Sequence, residues 1–293
     1  MSSLEQANLL HYKIFEAETA ESKDRIPLII LHGLLGSMDN WRGQAKRLSK
    51  NRTVITMDLR NHGNSPHLSG MSYREMYEDV IKLLIHLKIE IFDCLGHSMG
   101  GKVAMQMALA NAQMINHAKN ANGVDGSNAN VGVPRLNKLI IVDIAPRSYP
   151  LWHQQTLETV LKAPVAELDS RQAVDDYLQD TIEDPTERGF MIKNLRRANA
   201  NDDPNTGFRW KCNMSEIARG YLKIAGFNTA EDTFNNKTLF MGGGDSPYIR
   251  EQDHPIISSL FPQSRIITID NAGHLPHFQQ ADEFYERVDG FLK

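Results

Sequence analysis

Short apolar runs recur along this chain at Ile26 to His32, Thr53 to Leu59, Ile89 to Leu95, Lys138 to Ile144, Thr238 to Met241 and Arg265 to Ile269. Each is nearly continuous in aliphatic residues rather than alternating, the pattern of parallel strands covered by helices on both faces. Leu9 to Glu16 alternates and predicts an edge strand. Between the runs, Ser72-Tyr73-Arg74-Glu75 has the spacing of a capping box. It opens a segment through Leu87 in which Met76, Val80, Leu83, Leu84 and Leu87 share one face of a helix. Similar helices are expected after Asp39, Ser98 and Ala281. This alternation predicts an α/β fold with a mostly parallel, doubly wound sheet.

From about Arg147 to Asp232 the strand signals stop. Helices are expected instead at Gln154 to Leu161, Ser170 to Gln179, Pro185 to Arg197 and Ser215 to Ile224. Two carry start signals, Asp184-Pro185-Thr186-Glu187 and Asn213-Met214-Ser215-Glu216. The expected organisation is a core of residues 1–146 and 233–293 with a helical cap at 147–232. Tyr149, Trp152, Phe208 and Trp210 give this cap aromatic surface. Such rings either glue a cap to its core or line a pocket; Trp152, Phe208 and Trp210 are the candidate walls, with Leu35 and Met99 opposite. The Asn- and Gly-rich stretch Asn120 to Val133 reads as a long, mobile surface insertion without a catalytic part.

Composition narrows the function. Of 293 residues, 41% are hydrophobic and 23% charged, near the globular average, so a disordered or fibrous chain is excluded. The net charge of −4, with no block of like charge, argues against nucleic acid or an anionic membrane surface as partner. Cys94 and Cys212 are the only cysteines, too few for a disulfide framework or a cysteine zinc site. No run approaches the roughly 18 apolar residues of a membrane span. The first residues lack a signal or transit pattern, so a cytoplasmic location is expected.

Gly96-His97-Ser98-Met99-Gly100 is a G-x-S-x-G sequence set directly between a predicted strand and a predicted helix. Small residues there permit a sharp turn that lifts the Ser98 hydroxyl above the sheet. A serine needs a base to become nucleophilic. His274 is the candidate, in the Gly-marked loop after the last strand; His277 and His97 are rivals. The remaining histidines show no metal-ligand spacing, and neither metal nor cofactor is expected. Backbone N–H groups of Leu34, in the turn His32-Gly33-Leu34-Leu35-Gly36, and of Met99, after the serine, are the expected donors to an oxyanion. The acid that orients the histidine is Asp143 or Asp245, each at the end of a predicted strand.

These segments resemble the α/β-hydrolases. The resemblance rests on His32-Gly33-Leu34-Leu35-Gly36-Ser37, Asp58-Leu59-Arg60-Asn61-His62-Gly63-Asn64-Ser65-Pro66, Gly96 to Lys102, Val142-Asp143-Ile144-Ala145-Pro146 and Gly243-Gly244-Asp245-Ser246-Pro247-Tyr248. More narrowly, the chain is similar to small bacterial and mitochondrial serine esterases, whose yeast relatives include ethanol acetyltransferases. The resemblance implies an α/β-hydrolase fold and favours Asp143 as the acid, since that branch commonly has Asn at the position of Asp245. Asp58 and Arg60 look like a structural ion pair bracing the turn before Gly63. The expected activity is serine carboxylesterase on small-molecule esters of short or medium acyl chain, through an acyl-enzyme on Ser98. An acyltransferase or thioesterase would use the same groups, and a silent binding protein on this fold is the distant alternative.

Overall fold

The runs Leu28–Leu31 and Val54–Met57 are buried at every position, which explains their unbroken aliphatic character. The computed structural model describes residues 8–122, 133–198, 207–228 and 232–293. Its first half runs β1 (Tyr12–Phe15), α1 (Ala20–Lys23), β2 (Leu28–Leu31), α2 (Arg42–Leu48), β3 (Val54–Met57), α3 (Tyr73–His86), β4 (Ile91–His97), α4 (Met99–Asn122) and β5 (Arg135–Val142). Then follow α5 (Gln154–Lys162), α6 (Arg171–Leu178), α7 (Pro185–Ile192), β6 (Leu195–Arg197), β7 (Phe208–Trp210) and α8 (Met214–Ala225). The chain closes with β8 (Thr238–Gly243), α9 (His254–Leu260), β9 (Ser264–Ile269), α10 (Pro276–Gln279) and α11 (Ala281–Leu292).

Seven strands form one sheet in the order β1-β3-β2-β4-β5-β8-β9. Only β1 is antiparallel to its neighbour. Alternate side chains of β2 divide between two cores: Ile29 and Leu31 pack into one, Leu28 and Ile30 into the other. Helices on both faces therefore seal the sheet. The strand order reverses between β2 and β4, and a crevice at such a reversal, beyond the carboxyl ends of the strands, is where open α/β sheets place ligands. The turns after β2 and β4 carry Gly33 to Gly36 and Ser98.

Residues between β5 and β8 make an excursion that is mostly helical, but two sequence expectations fail there. The helix that starts at Pro185 ends at Ile192 rather than running to Arg197. Leu195 to Arg197 pairs instead with Phe208 to Trp210 as a short antiparallel ribbon. Only three residues long and carrying Arg196, Arg197 and Arg209, these strands have no apolar run to announce them. The expectation for 120–133 meets a helix that continues to Asn122; its positions 123–132 lie outside the described residues.

The Asp58–Arg60 pair is also corrected. Arg60 Nε donates to Asp79 Oδ2 at 2.6 Å, across to a buried position of α3. Asp58 instead accepts from the N–H groups of Met38 and Asn64 at 2.8 and 2.9 Å. It braces the turn before Gly63 without Arg60, with His11 Nδ1 3.2 Å from its Oδ2, and so closely that a Cβ at Gly63, where φ is +56°, would lie 2.2 Å from the carboxylate.

Candidate active site

Ser98 sits at φ +52° between β4 and α4, in the left-handed region that non-glycine residues rarely adopt. The neighbouring glycines make this turn possible. A Cβ at Gly96 would come within 2.3 Å of the Gly100 carbonyl oxygen, and one at Gly100 within 2.5 Å of the His32 carbonyl oxygen. The strand and the following helix thus touch through bare backbone, and the serine hydroxyl is left at the surface of a cleft.

His274 lies in the loop after β9. Its Nε2 is 3.0 Å from Ser98 Oγ and its Nδ1 is 2.8 Å from Asp143 Oδ2. Asp143 follows β5, also in the left-handed region with φ +51°, and is wholly buried. It accepts two further hydrogen bonds: Gly243 N–H to Oδ1 at 3.0 Å and Ser246 Oγ–H to Oδ2 at 2.5 Å. Asp245 is exposed in the turn after β8, and its own N–H donates to the Ala272 carbonyl. Ser98, His274 and Asp143 are therefore the three groups brought into line, while Asp245 stands outside.

The rival histidines are committed elsewhere. His97 Nε2–H donates to the His274 carbonyl at 2.7 Å, fixing the loop that carries the base. His277 stacks on Trp41 with ring centroids 4.1 Å apart. Burial holds both imidazoles neutral, His277 at a pKa of about 3 and His97 well below its ordinary value.

Two more buried histidines shape the turn after β2. His32 Nδ1–H donates to the Gly33 carbonyl at 2.8 Å while its Nε2 accepts from Leu59 N–H at 3.0 Å. His62 Nδ1–H donates to the Arg60 carbonyl, and its Nε2 accepts from Leu35 N–H at 3.2 Å. One nitrogen of each ring must stay unprotonated, and burial lowers their pKa values to about 4 and about 3. Leu35, at φ +55°, is also held through its carbonyl by Asn194 Nδ2–H, from the segment after α7. Leu34, in this pinned turn, lines the cleft at Ser98. Met99 is the first residue of α4, so its N–H has no partner within the helix.

Two cavities meet at Ser98, sharing Leu34, His153 and Tyr248. The larger, about 220 Å³, is lined by Leu35, Phe190, Met191, Glu187 and His274. The smaller, about 50 Å³, is lined by Met99, Lys102, Trp152 and Tyr221. Leu35, Met99 and Trp152 thus line the cleft. Phe208 and Trp210 do not: Phe208 is buried under Arg171 and Arg197, and Trp210 packs against the core. Both belong to the ribbon, which binds the excursion together instead of facing the cleft.

Tyr248 and His153 are residues that sequence reasoning missed. The Tyr248 ring stacks on His274 with centroids 4.0 Å apart, and its hydroxyl lies 2.9 Å from His153 Nε2. The Gly243 to Tyr248 segment, noted for Asp245, contributes Gly243, Ser246 and Tyr248 instead.

The neutral histidines predict acid sensitivity. His32, His62, His97, His153 and His277 all have folded-state pKa values below 6.5. Below pH 6.5 the unfolded chain takes up protons that the native state refuses, so the stability present above that pH is lost as pH falls towards 4 and 3. Each histidine contributes a slope of at most about 1.4 kcal/mol per pH unit. Urea unfolding between pH 7 and 5 should show a steep fall in stability; a flat profile would contradict these proton positions.

A family model described as the alpha/beta hydrolase fold matches residues 26–281. The chain belongs to that family. It is 31% identical to the sn-1-specific diacylglycerol lipase ABHD11 of Danio rerio over 97% of this chain and 82% of the relative. It is 27% identical to a probable alcohol acetyltransferase of Saccharomyces cerevisiae over 93% of this chain and 79% of that protein. A solved marine microorganism esterase superposes with a TM-score of 0.83 at 31% identity, covering 97% of this chain and 99% of its own. These similarities place the chain among ester hydrolases. Among the described residues no helix is long and apolar enough to cross a membrane, and no cluster of side chains could hold a metal ion.

Proposed function

We propose that this ester hydrolase is a serine carboxylesterase of short- to medium-chain acyl esters, working through an acyl-enzyme on Ser98. The observation that carries the reading is the continuous line from Asp143 Oδ2 to His274 Nδ1 and from His274 Nε2 to Ser98 Oγ. His274 takes the Ser98 proton as the oxygen attacks the ester carbonyl, and the Leu34 and Met99 N–H groups receive the negative charge that develops. The imidazolium returns its proton to the departing alcohol. Water, deprotonated by the same ring, then releases the acid. Asp143 holds the imidazole in the required tautomer.

Residues 147–232 act in this reading as a cap on a core formed by 1–146 and 233–293. Support comes from Trp152, His153 and Tyr221, which extend from that segment into the smaller cavity beside Ser98. A bounded cavity limits chain length, and one methylene too many is worth about 1–3 kcal/mol of discrimination. Across p-nitrophenyl esters from acetate to palmitate, kcat/KM should peak at short or medium chains and fall at least tenfold at the long end. Equal cleavage of palmitate and butyrate would refute the cap's role.

Transfer of the acyl group to an alcohol is the second reading, favoured by the likeness to the yeast alcohol acetyltransferase. Ethanol added to an acetyl ester reaction separates the two. Acetic acid as the main product supports hydrolysis, and ethyl acetate supports transfer.

A further inference from the structure

The two arms of the cleft carry different titratable side chains, a carboxyl in the larger and an amine in the smaller. In the larger arm Glu187 lines the wall with His274 and Ser98, and among the described residues its carboxylate makes no hydrogen bond or ion pair. Basic side chains nearby in sequence have their own partners, none of them Glu187. Arg188 pairs with Asp175 at 2.8 Å and donates to the carbonyls of Ile182 and Glu183. Lys193 lies over the Phe190 ring at 4.7 Å. Asp184, at the same mouth, accepts from Thr186 N–H at 2.7 Å as the cap of α7. No Lys or Arg lines this arm among the described residues, and its histidines His32, His97, His153 and His277 are kept neutral by burial.

The smaller arm is the reverse. Lys102, buried one turn of helix beyond Ser98, donates from Nζ to the carbonyls of Ala225 and Gly226 at 2.9 and 2.8 Å and lies 4.8 Å from the Tyr149 ring centre. Among the described residues its partners are dipoles and the rings of Tyr73 and Tyr149, with no carboxylate, and burial lowers its pKa to about 7.

The chemistry at Ser98 orients a substrate in this field. A leaving alkoxide must receive its proton from His274 Nε2, so the alcohol part of the ester lies in the arm that His274 lines. The acyl part then enters the small arm beside Met99 and Lys102. We propose that Glu187 is a specificity-determining residue and that the larger arm takes esters of cationic alcohols, an ammonium group of the alcohol pairing with the Glu187 carboxylate. Esters of anionic alcohols are repelled from the same wall. Burial also pushes the Glu187 carboxyl upward in pKa, the mark of a carboxylate short of solvation that a bound cation would restore.

This inference rests on the reading of Ser98 as the acylated group, and its test separates the two. The probes are acetylcholine and its neutral isostere 3,3-dimethylbutyl acetate, and the readout is the ratio of their kcat/KM values, which cancels any change common to both. In the wild-type protein the ratio should be about tenfold or more in favour of the cation. Glu187→Gln should bring it to about one, and Glu187→Lys should invert it. A wild-type ratio near one, or a ratio unmoved by Glu187→Gln, overturns the role of Glu187. If the neutral ester is not hydrolysed, or is hydrolysed equally by Ser98→Ala, the esterase reading itself has failed.

Discussion

Replacing Ser98 with alanine lowers kcat for a p-nitrophenyl ester by about 10⁴ to 10⁶, with the thermal midpoint close to that of the wild type. The size follows from the proposed mechanism: serine, histidine and acid would act as a unit, so losing the oxygen would forfeit almost everything the unit supplies, while the N–H groups of Leu34 and Met99 would leave a small residue of rate. The fold tolerates the change because the oxygen faces the cleft and its removal opens no cavity in the core. Alanine also keeps the backbone near its present conformation. A fluorophosphonate probe that labels the wild-type protein should leave the variant unlabelled. Turnover retained at a few per cent, or labelling that persists, would mean that the reaction runs through another group.

The contrast between Asp143→Asn and Asp245→Asn is nearly as large. Gly243 N–H donates to one oxygen of Asp143, so an asparagine there keeps its carbonyl oxygen on that side. Its NH₂ is then turned towards His274 Nδ1 and Ser246 Oγ, where an acceptor stands now. Nδ1 can no longer donate, and the ring must move its proton to Nε2, which is then unable to take one from Ser98. Loss of the right tautomer costs about 10⁴ in kcat in serine proteases. Asp245→Asn changes an exposed turn and should alter kcat by less than about threefold. Measuring both variants on one ester decides the assignment, and a larger loss at Asp245 would reverse it.

The sheet was readable because its central strands are buried on both faces. Continuous runs such as Leu28-Ile29-Ile30-Leu31 have no other home in a chain of this length, and the helices between them announce themselves through Ser72, Asp184 and Asn213. The turn that carries the candidate nucleophile was readable because Gly96 and Gly100 answer to a backbone contact that no larger residue permits. Choosing between Asp143 and Asp245 was a different matter: each ends a strand, and only the turn after β8, which points Asp245 to solvent and Ser246 inward, separates them. Arg60 misled for a similar reason, since closeness in sequence suggested Asp58 while the helix brought Asp79 to it. Phe208 and Trp210 looked like pocket walls because aromatic residues suit both pockets and cores. Tyr248, His153 and Glu187 left no local signal, since their significance arises only when three distant segments meet around Ser98.

Ser98 and Asp143 share a feature that bears on how far this protein can be hardened. Both hold a left-handed backbone without being glycine. That conformation costs an ordinary residue about 1–2 kcal/mol, and each position must nonetheless carry a side chain for chemistry. On the proposed mechanism the molecule therefore surrenders part of its folding reserve at the very points where it reacts. Thermostabilising campaigns that rank substitutions by stability alone will be drawn to glycine at both positions and will select inert protein, so activity has to be screened alongside heat resistance from the first round.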